Sequence, residues 1–462
     1  MTAGTLETQA PAAPGTRVRG WWPDVIGAAA AFSMLIVVAL WIHNQGLQQL
    51  ANSATTFDSL GRLTGLVSAD LLLVQVFLMA RVPQIERSFG QDRLARWHRV
   101  VGFTSFDLML AHIVLITLGY AATDHAGVIH EFVDFVLNYP GMLLATAGTV
   151  ALILIVVTSL RAARRRLRYE SWHLLHLYAY LGAGLAIPHE LWTGTDFVGN
   201  VAATAYWWTV YGIAAGSVLA FRIGLPLWRS RRHGLVVSEV VPETPGVVSV
   251  YLSGRNLDRL RVRAGQFFHW RFLSGPGWTR AHPYSLSAAP RPDRLRITVK
   301  ELGDGSAGAR ALRPGTRVLI EGPYGQMGAV GRTRQKLTMI ASGIGITPLR
   351  ALLEELPYGP GEATLLYRAH TPDGFTFRDE LDELAARRGV RVVYLPGPRA
   401  SDSSWGPVGD VEDEMLLVRL VPDIVEQDVY VCGPDGWMAS AANAARLIGV
   451  PEQQLHLEWF SW

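Results

Sequence analysis

The sequence holds a single cysteine, Cys432, in 462 residues. One thiol excludes a disulfide within the chain, an all-cysteine iron–sulfur site, a four-thiolate zinc site and a covalent CxxCH haem attachment. Lysine is almost as scarce, with only Lys300 and Lys336, so the basic charge is nearly all arginine. The net charge of +3 is small for this length and leaves no footprint for nucleic acid. Three stretches, 43–60, 121–140 and 191–201, lack both lysine and arginine.

Apolar residues make up 49% of the chain and concentrate in its first 225 positions. Six segments, near 24–42, 61–81, 99–120, 141–160, 171–190 and 202–224, are long and apolar enough to cross a bilayer at about 20 residues each. The arginines flank one side of them: Arg17 and Arg19; Arg81, Arg87, Arg93, Arg96 and Arg99; Arg161, Arg164, Arg165, Arg166 and Arg168; Arg222, Arg229, Arg231 and Arg232. Positively charged connections stay in the cytoplasm, so the pattern predicts a multi-pass plasma-membrane protein with both termini inside. Residues 1–20, rich in Ala, Pro, Thr and Gly, read as a disordered N-terminus. They carry no apolar core with a cleavage site, which leaves the first apolar run as a retained helix.

Ionisable side chains inside spans are costly and point to function. The third span carries His98 at its cytoplasmic start and His112 deeper in; the fifth carries His173 and His176 near its start and His189 at its far end. Odd-numbered spans run in the same direction, so His98 can meet His176 at an inner level and His112 can meet His189 at an outer one. Two such pairs would clamp two b-type haems, stacked roughly 20 Å apart. A separation of 14 residues puts His98 and His112 on one helix face, whereas 13 residues turn His176 and His189 apart. Pro188 is placed to correct that end. His173 reads as an interfacial residue, and hydrogen bonding within the bundle is the alternative for the others. Asp70 and Asp107 read as structural polar contacts, with a buried hydrogen bond to a histidine Nδ1 as the alternative. Arg62, at the outer end of the second span, is placed to meet a haem propionate or lipid headgroups.

From Leu235 the pattern changes to short alternating strands punctuated by Gly and Pro, which predicts an antiparallel β-barrel over 234–334. From 335 to 462 strands alternate with helices, predicting an α/β doubly wound domain with its ligand crevice at the strand carboxyl ends. The basic stretch Trp228–His233 joins these to the all-α six-helix transmembrane bundle of 21–228.

Local motifs carry the chemistry. His282-Pro283-Tyr284-Ser285 offers a Tyr ring to stack on a flat isoalloxazine and a Ser hydroxyl for its N5 edge; an ordinary half-buried strand is the alternative. Gly303-Asp304-Gly305-Ser306 can expose backbone N–H groups to a pyrophosphate. Gly343-Ile344-Gly345-Ile346-Thr347-Pro348 follows an apolar strand and opens a helix, as a dinucleotide turn does, with Pro where a small residue is usual. Cys432-Gly433-Pro434, at another strand end, can flank a nicotinamide; a buried structural cysteine is the alternative. The terminal Trp459-Phe460-Ser461-Trp462 could cover a flavin ring or dock into the core.

This ordered set, with Glu321–Gly325 (EGPYG) between the glycine motifs, resembles the ferric reductase / NADPH oxidase superfamily over residues 20–462. The resemblance implies a six-helix, two-haem transmembrane domain fused to a ferredoxin–NADP reductase-like module. It assigns His98, His112, His176 and His189 to haem iron; His282, Pro283, Tyr284, Ser285, Gly303 and Ser306 to FAD; and Gly343, Gly345, Thr347, Pro348, Cys432, Gly433 and Pro434 to NAD(P)H. Phe460 or Trp462 would lie over the flavin. Hydride would pass from NAD(P)H to FAD, then single electrons through the haems to an outer acceptor, oxygen (giving superoxide) or a ferric chelate. A quinone or a protein partner is the alternative. His125 and His130 could touch a metal acceptor, and solvated loop histidines are the simpler reading. Arg368 and Arg399 are candidates for a 2′-phosphate partner, which tips the donor toward NADPH.

Overall fold

The computed structural model describes residues 21–52, 55–160, 169–194, 196–198, 200–275, 277–303, 306, 308–328, 331–409 and 411–459. Residues 1–20 and Arg161, Arg164, Arg165, Arg166 and Arg168 lie outside that description. The chain divides into two compact units, Val18–Arg222 and one holding Ile223–Trp462.

The first unit is helical: α1 Trp22–His43, α2 Gly46–Leu50, α3 Thr56–Met79, α4 Pro83–Phe89, α5 Gln91–Thr123, α6 Val128–Asn138, α7 Met142–Ser159, α8 Tyr169–Thr193 and α9 Val201–Ser217. Among the described residues, five helices are long and apolar enough to cross a membrane: Trp22–His43, Thr56–Met79, Arg93–Thr123, Met142–Ser159 and Val201–His233. The expected six are thus five by composition. The remaining segment, α8, has the length, 25 residues, but His173, His176, Pro188, His189 and Glu190 dilute its apolar character. Its polarity comes largely from the residues expected to bind a cofactor, which is where a membrane helix tolerates polar cost.

Large apolar side chains of this unit face outward; Leu35 is 65% exposed and Val150 61%, an arrangement that lipid, not water, stabilises. Its inner core gathers Val37, Trp41, Leu66, Leu73, Phe197 and Trp207. Polar and small residues bind the helices where apolar attraction is weak. The Ser68 hydroxyl donates to the Ser105 carbonyl at 2.7 Å, and Ser105 returns the bond to Ser68 at 2.8 Å. A Cβ on Gly148 would stand 2.6 Å from the Gly182 carbonyl, so α7 and α8 touch backbone to backbone. Asp70 accepts from Ser33 at 2.5 Å and from Tyr206 at 3.4 Å, which makes it a structural tie among α1, α3 and α9. Asp107, expected to be buried, is exposed. Nine residues beyond His98, it falls half a turn away from the histidine face of α5.

In the second unit, α10 (Leu225–His233) leads into β1 Val236–Thr244, β2 Val247–Ser253, β3 Phe267–Phe272, β4 His282–Ser285, β5 Arg294–Lys300 and β6 Val318–Tyr324. They form two three-stranded antiparallel sheets, ordered β1-β2-β5 and β4-β3-β6. Single bridges, Val236 to Arg317 and Leu286 to Ile297, link the sheets. These bridges join β1 to β6 and β4 to β5, so the two sheets meet at both edges around one core of Val250, Leu252, Phe268, Trp270, Ile297 and Ile320.

The nucleotide-type domain has β7 Leu337–Ser342, β8 Ala363–Ala369, β9 Arg391–Pro396, β10 Asp428–Cys432 and β11 Leu455–Leu457. They make one parallel sheet ordered β11-β10-β7-β8-β9, with α11 Ile346–Glu355, α12 Arg378–Arg388, α13 Asp413–Leu420 and α14 Asp435–Leu447 packed around it. All residues of β7, β8 and β10 are buried, as a parallel sheet covered on both faces requires.

A charged network fastens the two sheets' domain to this one. Arg296 of β5 pairs with both carboxylate oxygens of Glu380 on α12, at 2.7 and 3.0 Å. Arg350 of α11 reaches Glu380 at 2.7 Å and Glu354 at 2.6 Å. Removing the shared carboxylate strands two largely buried guanidinium groups. Glu380→Ala should cost about 2 kcal/mol, below the fully buried case because Glu380 keeps some solvent. A shift of the denaturant midpoint, absent in the control Glu383→Ala, is the check.

Asp428, at the start of β10, is fully buried. It accepts from the Thr333 and Arg334 amides at 2.7 and 2.6 Å and from His456 Nε2 at 2.9 Å. Burial pushes its carboxyl upward, but the His456 and amide hydrogen bonds outweigh that and hold it below its ordinary value. A depressed folded value means that the stabilisation is complete above the unfolded value of about 3.9 and is lost as pH falls through the folded one. Asp428→Asn should therefore lower the thermal midpoint at pH 6 and flatten its fall between about pH 4 and 3. An unchanged slope would contradict the assignment.

Candidate cofactor sites

The two histidine-bearing helices do come together. The rings of His98 and His176 lie 5.9 Å apart, centre to centre, at 74°. Two imidazoles on opposite sides of one metal have centres about 6 Å apart, given metal–nitrogen bonds near 2 Å. His189 lies within electrostatic range of His112.

Each ring is tethered at Nδ1. His98 meets the Gln75 carbonyl at 3.2 Å, His112 the Gly61 carbonyl at 2.7 Å, His189 the Ala186 carbonyl at 2.5 Å, and His176 the Ser159 hydroxyl at 3.3 Å. A carbonyl tether, as at His98, His112 and His189, takes Nδ1 as the donor and leaves Nε2 free to ligate, the arrangement expected around a metal. The spacing of His98 and His176 fits two imidazoles sharing one iron.

The neighbours that set this geometry escape sequence reasoning. Gly65 lies against His112, where a Cβ would stand 2.6 Å from Nδ1. Gly141, at φ +83°, lies against the backbone of His189, which a Cβ would approach to 2.8 Å. Trp172 stacks on His176 at 5.1 Å and donates its Nε1–H to Ser159 at 3.3 Å. Gly61 and Gly65, four apart on α3, are the signal that could have been read, since they leave one helix face bare for a bulky neighbour.

Arg62 is engaged elsewhere than at a propionate or headgroup. It binds Asp196 through Nε at 2.9 Å and Nη2 at 2.5 Å, Gln49 through Nη1 at 2.7 Å and the Asn44 carbonyl at 3.2 Å. These contacts make it a clamp between segments near the helix ends.

In the second unit, the Ser285 hydroxyl is buried without a hydrogen-bond partner, an orphan that suits a ligand edge. The His282 and Tyr284 rings lie nearly parallel, 5.9 Å apart at 12°. Burial pushes the Tyr284 hydroxyl up to about 12, so it stays a neutral donor. Trp270 pins this strand by donating to the Tyr284 carbonyl at 2.9 Å. Pro283 takes a place in β4 opposite His269. These residues fit a flavin. Ser306, by contrast, accepts from the Leu302 amide at 2.8 Å and donates to the Gly303 carbonyl at 3.0 Å, which holds the turn itself. Asp304 and Gly305 lie outside the described residues.

At the carboxyl edge of the parallel sheet, Gly343 to Gly345 form a 3₁₀ turn feeding α11, with Gly343 at φ +54°. Thr347 donates to the Ile344 carbonyl at 3.0 Å. Pro348 is the third residue of α11, a first-turn position where a missing N–H leaves no bond unmade. A Cβ on Gly345 would stand 2.2 Å from the Cys432 carbonyl, so this turn and the end of β10 meet. Gly433 lies against Trp437, and Pro434 precedes α14.

Cys432 itself is fully enclosed. Burial pushes its thiol well above the ordinary value, and Sγ lies 3.9 Å from the Glu458 carbonyl. That corrects the expectation of a thiol facing the nicotinamide: the side chain packs as a neutral thiol, and its main chain lines the turn. Phe460 and Trp462, expected over the flavin, lie outside the described residues.

Two family descriptions match the chain: a ferric reductase like transmembrane component over residues 64–187 and an oxidoreductase NAD-binding domain over 339–443. The first segment contains His98, His112 and His176 and ends two residues before His189; the second contains the glycine turn and Cys432. The ferredoxin reductase component of the 3-ketosteroid-9-alpha-monooxygenase of Mycolicibacterium smegmatis is 31% identical over 49% of this chain and 65% of its own length. A flavohemoprotein of a Burkholderia species is 30% identical over 50% of this chain and 60% of its own length. The solved FAD/NAD-binding domain of a Vibrio cholerae nitric oxide dioxygenase is 27% identical, with a TM-score of 0.42, covering 50% of this chain and 99% of that one. The chain thus spans under two thirds of these full-length curated relatives. It joins a segment that matches a ferric reductase like transmembrane component to one that matches an oxidoreductase NAD-binding domain.

Proposed function

We propose that the chain moves electrons from cytoplasmic NAD(P)H through FAD and two b-type haems to an acceptor on the outer face, oxygen or a ferric chelate. The observation that carries this reading is the set of four histidines tethered at Nδ1 on two helices, with His98 and His176 ring to ring. Bound FAD would take electrons as a hydride pair and the haem irons would pass them singly.

The chain's own residues supply position and insulation. The glycine turn at Gly343–Gly345 lets a pyrophosphate approach the start of α11. The Ser285 hydroxyl and Tyr284 ring hold the flavin edge and face. Carbonyls of Gln75, Gly61 and Ala186 accept the Nδ1–H hydrogen bonds of three imidazoles and leave the Nε2 lone pair for a ligand. Arginine-free connections at 121–140 and 191–201 support an outer side and cytoplasmic termini.

Relatives of the second unit include a reductase component of an oxygenase, which keeps delivery to a protein partner, or to a quinone, as the second reading.

A reduced-minus-oxidised spectrum of the purified chain, with NADPH or NADH as the only donor, tests the proposal. Split haem bands that bleach when oxygen or ferric citrate is added are expected. A chain that binds flavin but shows no haem band would sink it. Haem that reduces, but reoxidises only with a protein or quinone acceptor, would select the second reading.

A further inference from the structure

The last membrane-length helix, Val201–His233, is 33 residues long. At 1.5 Å per residue it rises about 50 Å, well beyond a hydrocarbon layer of roughly 30 Å. Its carboxyl end, α10, therefore stands at the polar margin of the bilayer. Part of α10 is fastened to the two-sheet domain. Ser230 Oγ donates to the Ile320 carbonyl at 3.3 Å and accepts from the Ile320 amide at 3.0 Å, and His233 Nδ1 meets the Arg255 carbonyl at 3.0 Å. Its other residues are bare. Trp228 is 53% exposed and Leu227 41%, with Arg231 and Arg232 exposed beside them. The Arg232 guanidinium lies 5.0 Å from the centre of the Trp228 ring.

Packing adds charge here that the arginine pattern of the spans does not assign. The short turn Leu257–Leu260 packs against α10, and Arg255 Nη2 donates to the Arg231 carbonyl at 3.0 Å. Leu257 and Leu260 are buried, which leaves Arg255, Arg259 and Arg261 exposed around them. Asn256 and Arg261 bracket the turn in the left-handed region, at φ +53° and +52°, a conformation that costs a residue other than glycine about 1 kcal/mol. Within Arg255–Arg261 the one acid is Asp258, and α10 has none. No ion pair among the described residues engages Arg231, Arg232, Arg255, Arg259 or Arg261. The aromatic ring identifies what meets this charge. Water alone does not suit a half-exposed indole beside a half-exposed leucine. A phospholipid headgroup layer suits both groups, since tryptophan settles there and phosphate takes charge-assisted hydrogen bonds from guanidinium. Clusters of four or more basic residues beside a span draw anionic lipid in particular.

We propose that Trp228, Arg231 and Arg232 of α10, with Arg255, Arg259 and Arg261 of the adjoining turn, form a docking surface for anionic phospholipid headgroups. It holds the two-sheet domain on the leaflet beside the last span. The surface is independent of the electron-transfer reading above, whichever acceptor receives the electrons.

The test is amide hydrogen exchange of the full chain in nanodiscs of phosphatidylcholine alone or of phosphatidylcholine mixed with phosphatidylglycerol. At low salt, residues 225–233 and 255–261 should exchange at least about fivefold more slowly in the mixed discs, the value of one basic residue near an anionic surface. High salt should erase the difference. The variants Arg231→Gln/Arg232→Gln and Arg255→Gln/Arg259→Gln/Arg261→Gln should each reduce the protection, and Arg387→Gln, on the exposed side of α12, should not. Unchanged exchange in β7, β8 and β10 checks that each variant is folded. Equal exchange of the unaltered chain in the two lipids, or protection that persists when all these arginines of the surface are replaced, would overturn the proposal. Protection by added polyglutamate but not by phosphatidylglycerol would also overturn it, in favour of an acidic protein partner.

Discussion

Replacing His112 with alanine is expected to remove about half of the haem absorbance and leave flavin reduction by NAD(P)H intact, because under the proposed two-haem arrangement one iron would lose a ligand. The imidazole does more than fill space. Its Nδ1 is fixed by the Gly61 carbonyl at 2.7 Å, and the bare surface of Gly65 lets the ring lie flat against α3. Delivery of electrons to an outer acceptor should fall at least about 100-fold, beyond the effect usual for losing only a supporting hydrogen bond. Gly65→Ala gives a graded version, since its Cβ would stand 2.6 Å from Nδ1 and must turn the ring. It should weaken the same haem about tenfold, with a shifted band position. Haem-to-flavin stoichiometry and dithionite-reduced spectra of both variants are the measurements. Retention of the full haem content by His112→Ala would refute the ligand assignment.

Gly345→Ala is expected to disable the nucleotide domain. The new methyl would meet the Cys432 carbonyl oxygen at 2.2 Å, its carbon at 2.4 Å and the Gly433 nitrogen at 2.6 Å. All three are main-chain atoms, so no rotamer change relieves the contact. The strands that carry them, β7 and β10, are hydrogen-bonded to each other and buried. Overpacking of this kind should cost about 3 kcal/mol or more. Reduction of flavin by NAD(P)H should be lost, with the dithionite-reduced haem spectrum unchanged. Gly343→Ala is the contrast. Space there is open, but φ is +54°, so only the left-handed penalty of about 1 kcal/mol applies. Equal thermal midpoints for the two variants would show that the close approach does not limit this turn.

Much of the second unit is legible in the sequence. The alternation of strands and helices expected from 335 onward is found, in β7 to β11 and α11 to α14. Continuous apolar runs ending in Gly or Pro admit few other structures. The two-sheet domain is less legible, because whether short strands close into a barrel depends on partners distant in sequence. The bridges from Val236 and Leu286 show where the two sheets join. Pro348, an anomaly in the dinucleotide pattern, becomes ordinary once it is seen in the first turn of α11.

The membrane unit divides differently. Apolar length and arginine placement, both additive along the chain, announce a polytopic protein, and parallel odd-numbered spans put His98 level with His176. Side-chain targets are not additive. Arg62 turns to Asp196, 134 residues away, and Asp107 turns outward. Cys432 is enclosed, although its position at a strand end suggests display.

The sequence by itself determined which segments favour lipid, which histidines share a level and in what order the flavin and nucleotide motifs follow, because periodicity, hydropathy and turn chemistry act locally. Only the tertiary structure decided which atoms those groups meet. The carbonyls that orient the imidazoles and the glycine surfaces beside them arise from close packing between segments. There, a fraction of an ångström separates a ligand site from a structural contact.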